Sequence, residues 1–204
     1  MLDKSIPFLN VLMKRTPGKE VPMFPLPEGY TYAFFEEGDE KDWAELEAAV
    51  LEFPRSVDAL VYFQTNFLPM LRDVKRRCIF ILDPEGKKVA TTTIWWEYSE
   101  KRRDPWISWV SVLPEHQGLG LGKSIMSIAM QEGLAIEGDV IFYLHTQTWS
   151  HRAIPIYEKF GFHITDEAPL YKYDNKDYEK SLAALEEIYE KAGYPWKRLM
   201  PDAE

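Results

Sequence analysis

Apolar positions change period several times along this 204-residue chain, and each change marks an element. Tyr30 to Phe35 reads as a first strand. Lys41 to Phe53 reads as a helix, with Trp43, Leu46, Ala49 and Val50 on one face and Asp39 near its start. Asp58 to Leu71 is a further, aromatic-rich helical stretch. The period then shortens: Cys78-Ile79-Phe80-Ile81-Leu82, a Pro84-Glu85-Gly86 turn, and Val89 to Tyr98 predict a hairpin. Trp106 to Val112 is another strand. Gly120 to Ile136 is a helix whose polar stripe (Lys123, Ser127, Gln131) opposes a broad apolar face. Val140 to Thr146 predicts a strand, Arg152 to Phe160 a helix, and His163 to Tyr173 one or two more strands.

The two ends differ from this middle. Residues 1–28 carry Pro7, Pro17, Pro22, Pro25 and Pro27, a density that excludes long helix and sheet ladder and predicts an N-terminal arm or extended wrap. Lys176 to Ala192 carries Leu182, Leu185, Ile188 and Tyr189 at helical spacing and stops at Gly193, a suitable C-cap. The apolar face of this C-terminal helix must pack on its own domain or across the interface of a homodimer. The division expected is an arm at 1–28, a central α/β domain at 29–173 and a helical extension at 174–204.

Candidate chemistry concentrates where Trp106–Val112 runs into Gln117-Gly118-Leu119-Gly120-Leu121-Gly122, followed at once by Lys123-Ser124. Strand, glycine loop and helix together aim backbone N–H groups and a positive helix end at a phosphate. A Walker A loop needs four residues between its first glycine and Gly-Lys-Ser; counting back from Gly122, that place holds Gln117. A G-x-G-x-x-G fingerprint needs its third glycine at Lys123 or at Ile125. Both frames fail. The pattern met in full is Arg/Gln-x-x-Gly-x-Gly/Ala, through Gln117, Gly120 and Gly122. Further on stands Ser150-His151-Arg152-Ala153-Ile154-Pro155-Ile156-Tyr157-Glu158-Lys159-Phe160-Gly161-Phe162.

In these two segments the chain resembles the GNAT N-acetyltransferases. The glycine loop is similar to their acyl-CoA pyrophosphate loop. The stretch from Ser150 to Phe162 is similar to their Asn-x-x-Ala-x-x-x-Tyr-Glu-x-x-Gly-Phe segment, with Ser150 in the Asn place. Without its two ends the chain reads β-α-α-β-β-β-α-β-α-β, the order of that fold, so the resemblance covers about residues 28–173. It implies an α/β (α+β) GNAT fold: a mixed, twisted sheet of six to seven strands with flanking helices.

The resemblance also implies acetyl-CoA as cosubstrate and direct attack of a primary amine, from a small molecule or a peptide, on the thioester. By the family pattern the backbone of Gln117 to Gly122 (Gln117, Gly118, Leu119, Gly120, Leu121, Gly122) cradles the pyrophosphate. Gln117 donates a side-chain hydrogen bond and Lys123 adds charge. The backbone of Val110, Ser111 and Val112 pairs with pantetheine and polarises the thioester carbonyl. Ser150 and Ala153 contact the cofactor. Serine keeps a capping hydroxyl there with a shorter reach than Asn, and Pro155 fits a helix beginning near Arg152. Tyr157 is the general acid toward the thiolate. For the base, His145 occupies the place of a family carboxylate twelve residues before Tyr157, Glu97 is an alternative, and a water chain a third. A non-catalytic acyl-CoA-binding module is the alternative to an enzyme.

Composition excludes some classes and leaves this one. A formal net charge of −9 opposes nucleic-acid binding and suits an amine loosely. No run of eighteen apolar residues exists and Met1-Leu2-Asp3-Lys4 begins no signal peptide, so no membrane partner and a cytoplasmic location are expected. Cys78 is the single cysteine; its apolar run marks a core residue. The histidines at 116, 145 and 151 lie in separate contexts, so no metal is expected. Trp95, Trp96, Tyr98, Trp106, Trp109 and Trp149 read first as sheet packing, and secondarily as lining for an apolar or aromatic amine.

Overall fold

Seven strands form one mixed sheet in the computed structural model, which describes residues 2–99, 102–167 and 176–200. In chain order they are β1 (Asn10–Arg15), β2 (Thr31–Phe34), β3 (Cys78–Leu82), β4 (Lys88–Ser99), β5 (Arg102–Val112), β6 (Phe142–Gln147) and β7 (Phe162–Ile164). The helices are α1 (Glu40–Ala49), α2 (Ser56–Asn66), α3 (Leu71–Arg77), α4 (Leu121–Glu137), α5 (Ile154–Lys159) and α6 (Tyr178–Lys191). Across the sheet the order is β2-β3-β4-β5-β6-β1-β7. β5 and β6 run parallel through Trp106 and Tyr143, a connection that needs a long crossover, which α4 supplies. The expected α/β architecture with six to seven strands is the one present.

One expectation is corrected here. Prolines do not keep all of residues 1–28 out of the ladder, because β1 pairs antiparallel with both β6 and β7. Pro7 and Pro17 bracket a proline-free interval, and a proline removes a donor only at its own position. Within the interval Val11, Leu12 and Met13 are buried, so the segment gains both a ladder and a core contact. Of the strands expected between His163 and Tyr173, β7 accounts for the start, at Phe162–Ile164. Positions 168–175 lie outside the described residues.

The chain divides into two compact units. The first comprises residues 23–95 and 107–136. β3 is buried along almost its whole length, as a strand covered on both faces must be. Its core joins Phe80 and Ile81 to Phe35, Trp43, Phe63 and Phe67. Cys78 is buried there, and burial pushes its thiol up to about 12, so it is inert packing. On α1 the buried residues are Trp43, Ala44, Leu46 and Glu47, with Val50 closing the stripe. Ala49, expected on that face, is exposed. At about 100° per residue it lies far round the helix from Trp43, whereas Glu47, one turn on, lies directly above it.

Along the first turns of α4 the polar side meets the proline-rich segment, while Gln131 further on is exposed. Ser124 Oγ donates to Pro25 O at 2.8 Å, Phe24 N donates to Ser127 Oγ at 2.9 Å, and Lys123 Nζ lies 5.2 Å from the Phe24 ring centre.

Among the described residues, the second unit comprises 2–22, 96–99, 102–106, 137–167 and 176–200. Arg15 is fully buried at the end of β1 and donates to Asp139 Oδ1 at 3.0 Å and to the Lys19 carbonyl. Leu12 packs with Trp106 and Tyr143, whose rings stack at 5.5 Å. α6 buries Ser181, Leu185 and Tyr189, and Tyr189 Oη donates to His151 O at 2.6 Å. The apolar face of this helix thus packs in part inside its own unit, with Leu182 and Ile188 half-buried. Among the described residues, no helix is long and apolar enough to cross a membrane.

Candidate active site

β5 ends at Val112, and a short 3-10 turn, Pro114–His116, leads into the glycine loop. Gln117 Nε2 donates to Val112 O at 2.9 Å, so this side chain ties the loop to the strand that feeds it. Tyr30 Oη and His116 Nδ1 share a hydrogen bond at 2.9 Å, and His116 Nε2 lies 3.9 Å from Asp83 Oδ2. Gly118 and Gly120 sit at φ +84° and +90°, where a side chain is strained. A Cβ on either would meet nothing within 4 Å, so conformation, and not crowding, demands glycine. Lys123 N and Ser124 N, at 2.9 and 3.1 Å, both bond back onto Gly120 O. Gly120 therefore opens α4, whose first N–H groups point out of the helix end, as an anion requires. The loop residues fit a pyrophosphate in this respect.

Immediately upstream, Trp109 has φ +56° within β5, a rare conformation for a non-glycine residue. Its ring packs against three others: Trp43 at 5.3 Å, Phe53 at 5.5 Å and Tyr62 at 5.2 Å. Those three also contact one another, so the four rings form a continuous aromatic wall, with Trp43 fully buried and the rest half-buried. Of the other aromatics singled out in the sequence, Trp95 joins this wall through Phe67 and the rest lie elsewhere. Trp106 stacks on Tyr143, Trp149 meets Phe8, Trp96 carries Arg103 over its face, and Tyr98 is exposed.

Glu47, absent from the sequence candidates, is a titratable group on this wall. Its carboxyl is wholly buried, and Ser111 Oγ donates to Oε2 at 3.0 Å. Burial raises its pKa to about 8, against which the Ser111 hydrogen bond works. A signal for it does exist in the sequence. Trp43, Leu46 and Val50 define a helical stripe in which Glu47 occupies the remaining position.

The candidates read from the sequence fall into two sets. Val110, Ser111, Val112 and Gln117 to Lys123 belong to the first unit. Glu97, His145, Ser150, Ala153 and Tyr157 belong to the second. Glu97 is half-buried on β4. His145 Nε2 lies 2.9 Å from Asn10 Oδ1, an oxygen that only accepts, so the proton is assigned to Nε2. Asn10 in turn donates from Nδ2 to Asp177 Oδ2 at 2.8 Å. Desolvation pushes the His145 pKa down to about 4, keeping the ring neutral.

Tyr157 is buried on α5. That helix begins at Ile154, two residues later than expected, with Pro155 in its first turn and Ala153 at the N-cap. Ser150 is not its cap. It closes a 3-10 turn, and its carbonyl accepts from Ala153 N at 2.7 Å. Successive tight turns use these residues before the helix opens. Among the described residues, no group of three or more His, Cys, Asp or Glu is placed to hold a metal ion.

Residues 34–162 match the sequence pattern of the acetyltransferase (GNAT) family. No curated protein matches the chain. Among solved structures, it is similar to a GCN5-related N-acetyltransferase from Sphaerobacter thermophilus, with 20% identity and a TM-score of 0.61 over 78% of this chain and 50% of that one. A putative GNAT-family acetyltransferase from Novosphingobium aromaticivorans gives 21% identity and 0.51 over 78% of this chain and 62% of that one. A glucosamine N-acetyltransferase region of a fungal multi-domain GH3 β-N-acetylglucosaminidase gives 13% and 0.55 over 81% of this chain and 20% of that one. At these identities the likeness is one of fold. The chain spans at most about three-fifths of the length of each.

Proposed function

The chain belongs to the acetyltransferase (GNAT) family, and from that premise we propose that it is an acetyl-CoA-dependent N-acetyltransferase acting on a primary amine of a small molecule or peptide. Acyl transfer in general follows from the family. The carrying observation for the donor is the loop: positive φ at Gly118 and Gly120, and α4 opening directly behind them. In the proposal this backbone holds the pyrophosphate, with Lys123 nearby and Ser150 and Ala153 as further cofactor contacts. Val110, Ser111 and Val112 orient the pantetheine arm and the thioester carbonyl. The positive φ of Trp109 supports that role, because a kink in a strand re-aims the peptide groups beside it.

Acetyl-CoA supplies an activated acyl carbon, and the chain supplies position and proton handling. Tyr157 donates a proton to the departing sulfur. His145 and Glu97 are the base candidates carried from the sequence. Calorimetry with CoA, followed by thiol release across an amine panel, tests the reading. Amine-dependent thiol release with acetyl-CoA is expected. CoA binding without turnover on any amine would reduce the protein to an acyl-CoA-binding module. Mg-dependent ATP binding with no CoA binding would overturn the proposal.

A further inference from the structure

A carboxyl group removed from water and only half satisfied is costly to keep. Glu47 is such a group: Oε2 meets the Ser111 hydroxyl at 3.0 Å, while Oε1 is buried with no hydrogen-bond partner. The indole Nε1 of Trp43, one turn earlier on the same face, is likewise buried without a partner. Nothing in the packing of α1 asks for a carboxylate there, since a leucine would complete the stripe of Trp43, Leu46 and Val50. Ser111 stands on β5 two residues beyond the positive-φ Trp109, within the stretch proposed above to flank the thioester.

We propose that Glu47 is the terminal proton acceptor of acyl transfer, drawing the amine proton through the hydroxyl of Ser111. The inference rests on the acetyltransferase reading. As the amine nitrogen bonds to the acyl carbon, its proton passes to Ser111 Oγ while the Ser111 hydroxyl proton passes to the Glu47 carboxylate. The C–S bond breaks, and the sulfur takes a proton from Tyr157. Glu47 then releases its proton to solvent and Tyr157 regains one, so charge and atoms balance.

The electrostatics agree with the geometry. The titratable groups acting on Glu47 are Glu52, just past α1, which raises its pKa, and Cys78 on β3, which stays neutral. A base works best when its pKa lies near the working pH. Burial sets Glu47 at about 8 and His145 at about 4, which favours Glu47 over His145 for this step.

The test is the pH dependence of kcat/KM with an arylamine acceptor, which is uncharged near neutral pH, so that only the enzyme titrates. Wild type should rise about tenfold per pH unit to a plateau near 8. Glu47→Gln should lose this limb and about 10²-fold or more of the plateau rate, with CoA affinity retained. Ser111→Ala should lower the plateau similarly. Without any substrate, infrared difference spectra should show one protonated carboxyl disappearing near pH 8 in wild type and not in Glu47→Gln. An unchanged limb and rate in Glu47→Gln, or no such infrared change, overturns the inference alone. A wild-type protein that never releases thiol overturns the acetyltransferase reading and this inference with it.

Discussion

Replacing Glu47 by Gln should change the pH dependence of stability in a calculable way. The carboxyl titrates at 4.5 in the unfolded reference and at about 8 when folded, because burial penalises its charge. Between those values the folded protein holds a proton that the unfolded chain has released. The sign follows: this contribution is fully present below about pH 4.5 and is lost as pH rises toward 8. Each pH unit is worth about 1.4 kcal/mol, so wild type loses about 3 kcal/mol by pH 7 and about 4 by pH 8 from this group. Glutamine does not titrate. Its amide leaves buried N–H donors without partners, an offset of about 1–3 kcal/mol that does not vary with pH. The measurement is urea unfolding of both proteins at several pH values from 5 to 8, with the m-values checked for equality. The difference should move in favour of Glu47→Gln by about 1.4 kcal/mol per pH unit. Two parallel stability curves would show that Glu47 is ionised in the folded protein, and the reasoning from burial would fail.

Other outcomes follow from the same geometry. His145→Gln should flatten the acid side of the stability curve. A histidine lowered from 6.5 to about 4 costs wild type about 3 kcal/mol as pH falls through that window, and the variant is spared this in urea titrations. Gly120→Ala should place a side chain at φ +90°, lower stability by about 1–2 kcal/mol in thermal unfolding, and weaken CoA binding at least tenfold by calorimetry. Tyr157→Phe should lower kcat about 10²-fold or more while leaving the Kd for CoA unchanged. Trp43→Ala should cost about 3–5 kcal/mol, read by chemical denaturation, because the indole is fully buried among five other rings.

Local pattern carried the fold wherever an element's partners are near in sequence. β3 coincides with the expected Cys78–Leu82, and β4 with its hairpin partner, because a short apolar run and a Pro-Glu-Gly turn specify both. The glycine loop was legible because its spacing is chemistry. β1 was not, since its six residues acquire a strand's role only from β6 and β7, far along the chain. Glu47 went unseen for a different reason: a charged letter in a helix reads as surface, and only its angular position reveals burial. The positive φ of Trp109 left no mark on the sequence at all, because tertiary packing imposes it on a residue that would otherwise suit an extended strand.

The placement of β1 has a consequence for synthesis. Asn10 and His145 are 135 positions apart, yet they belong to paired strands, and Met13 also pairs with Ile164. A chain emerging from the ribosome presents Val11, Leu12 and Met13 long before the residues that cover them exist. This strand therefore waits, apolar and unpaired, through most of translation, and its sheet closes late through contacts of high order. Slow refolding and dependence on a chaperone during expression are the expected signature, and both should ease if a circular permutation brings β1 next to β6 in the chain.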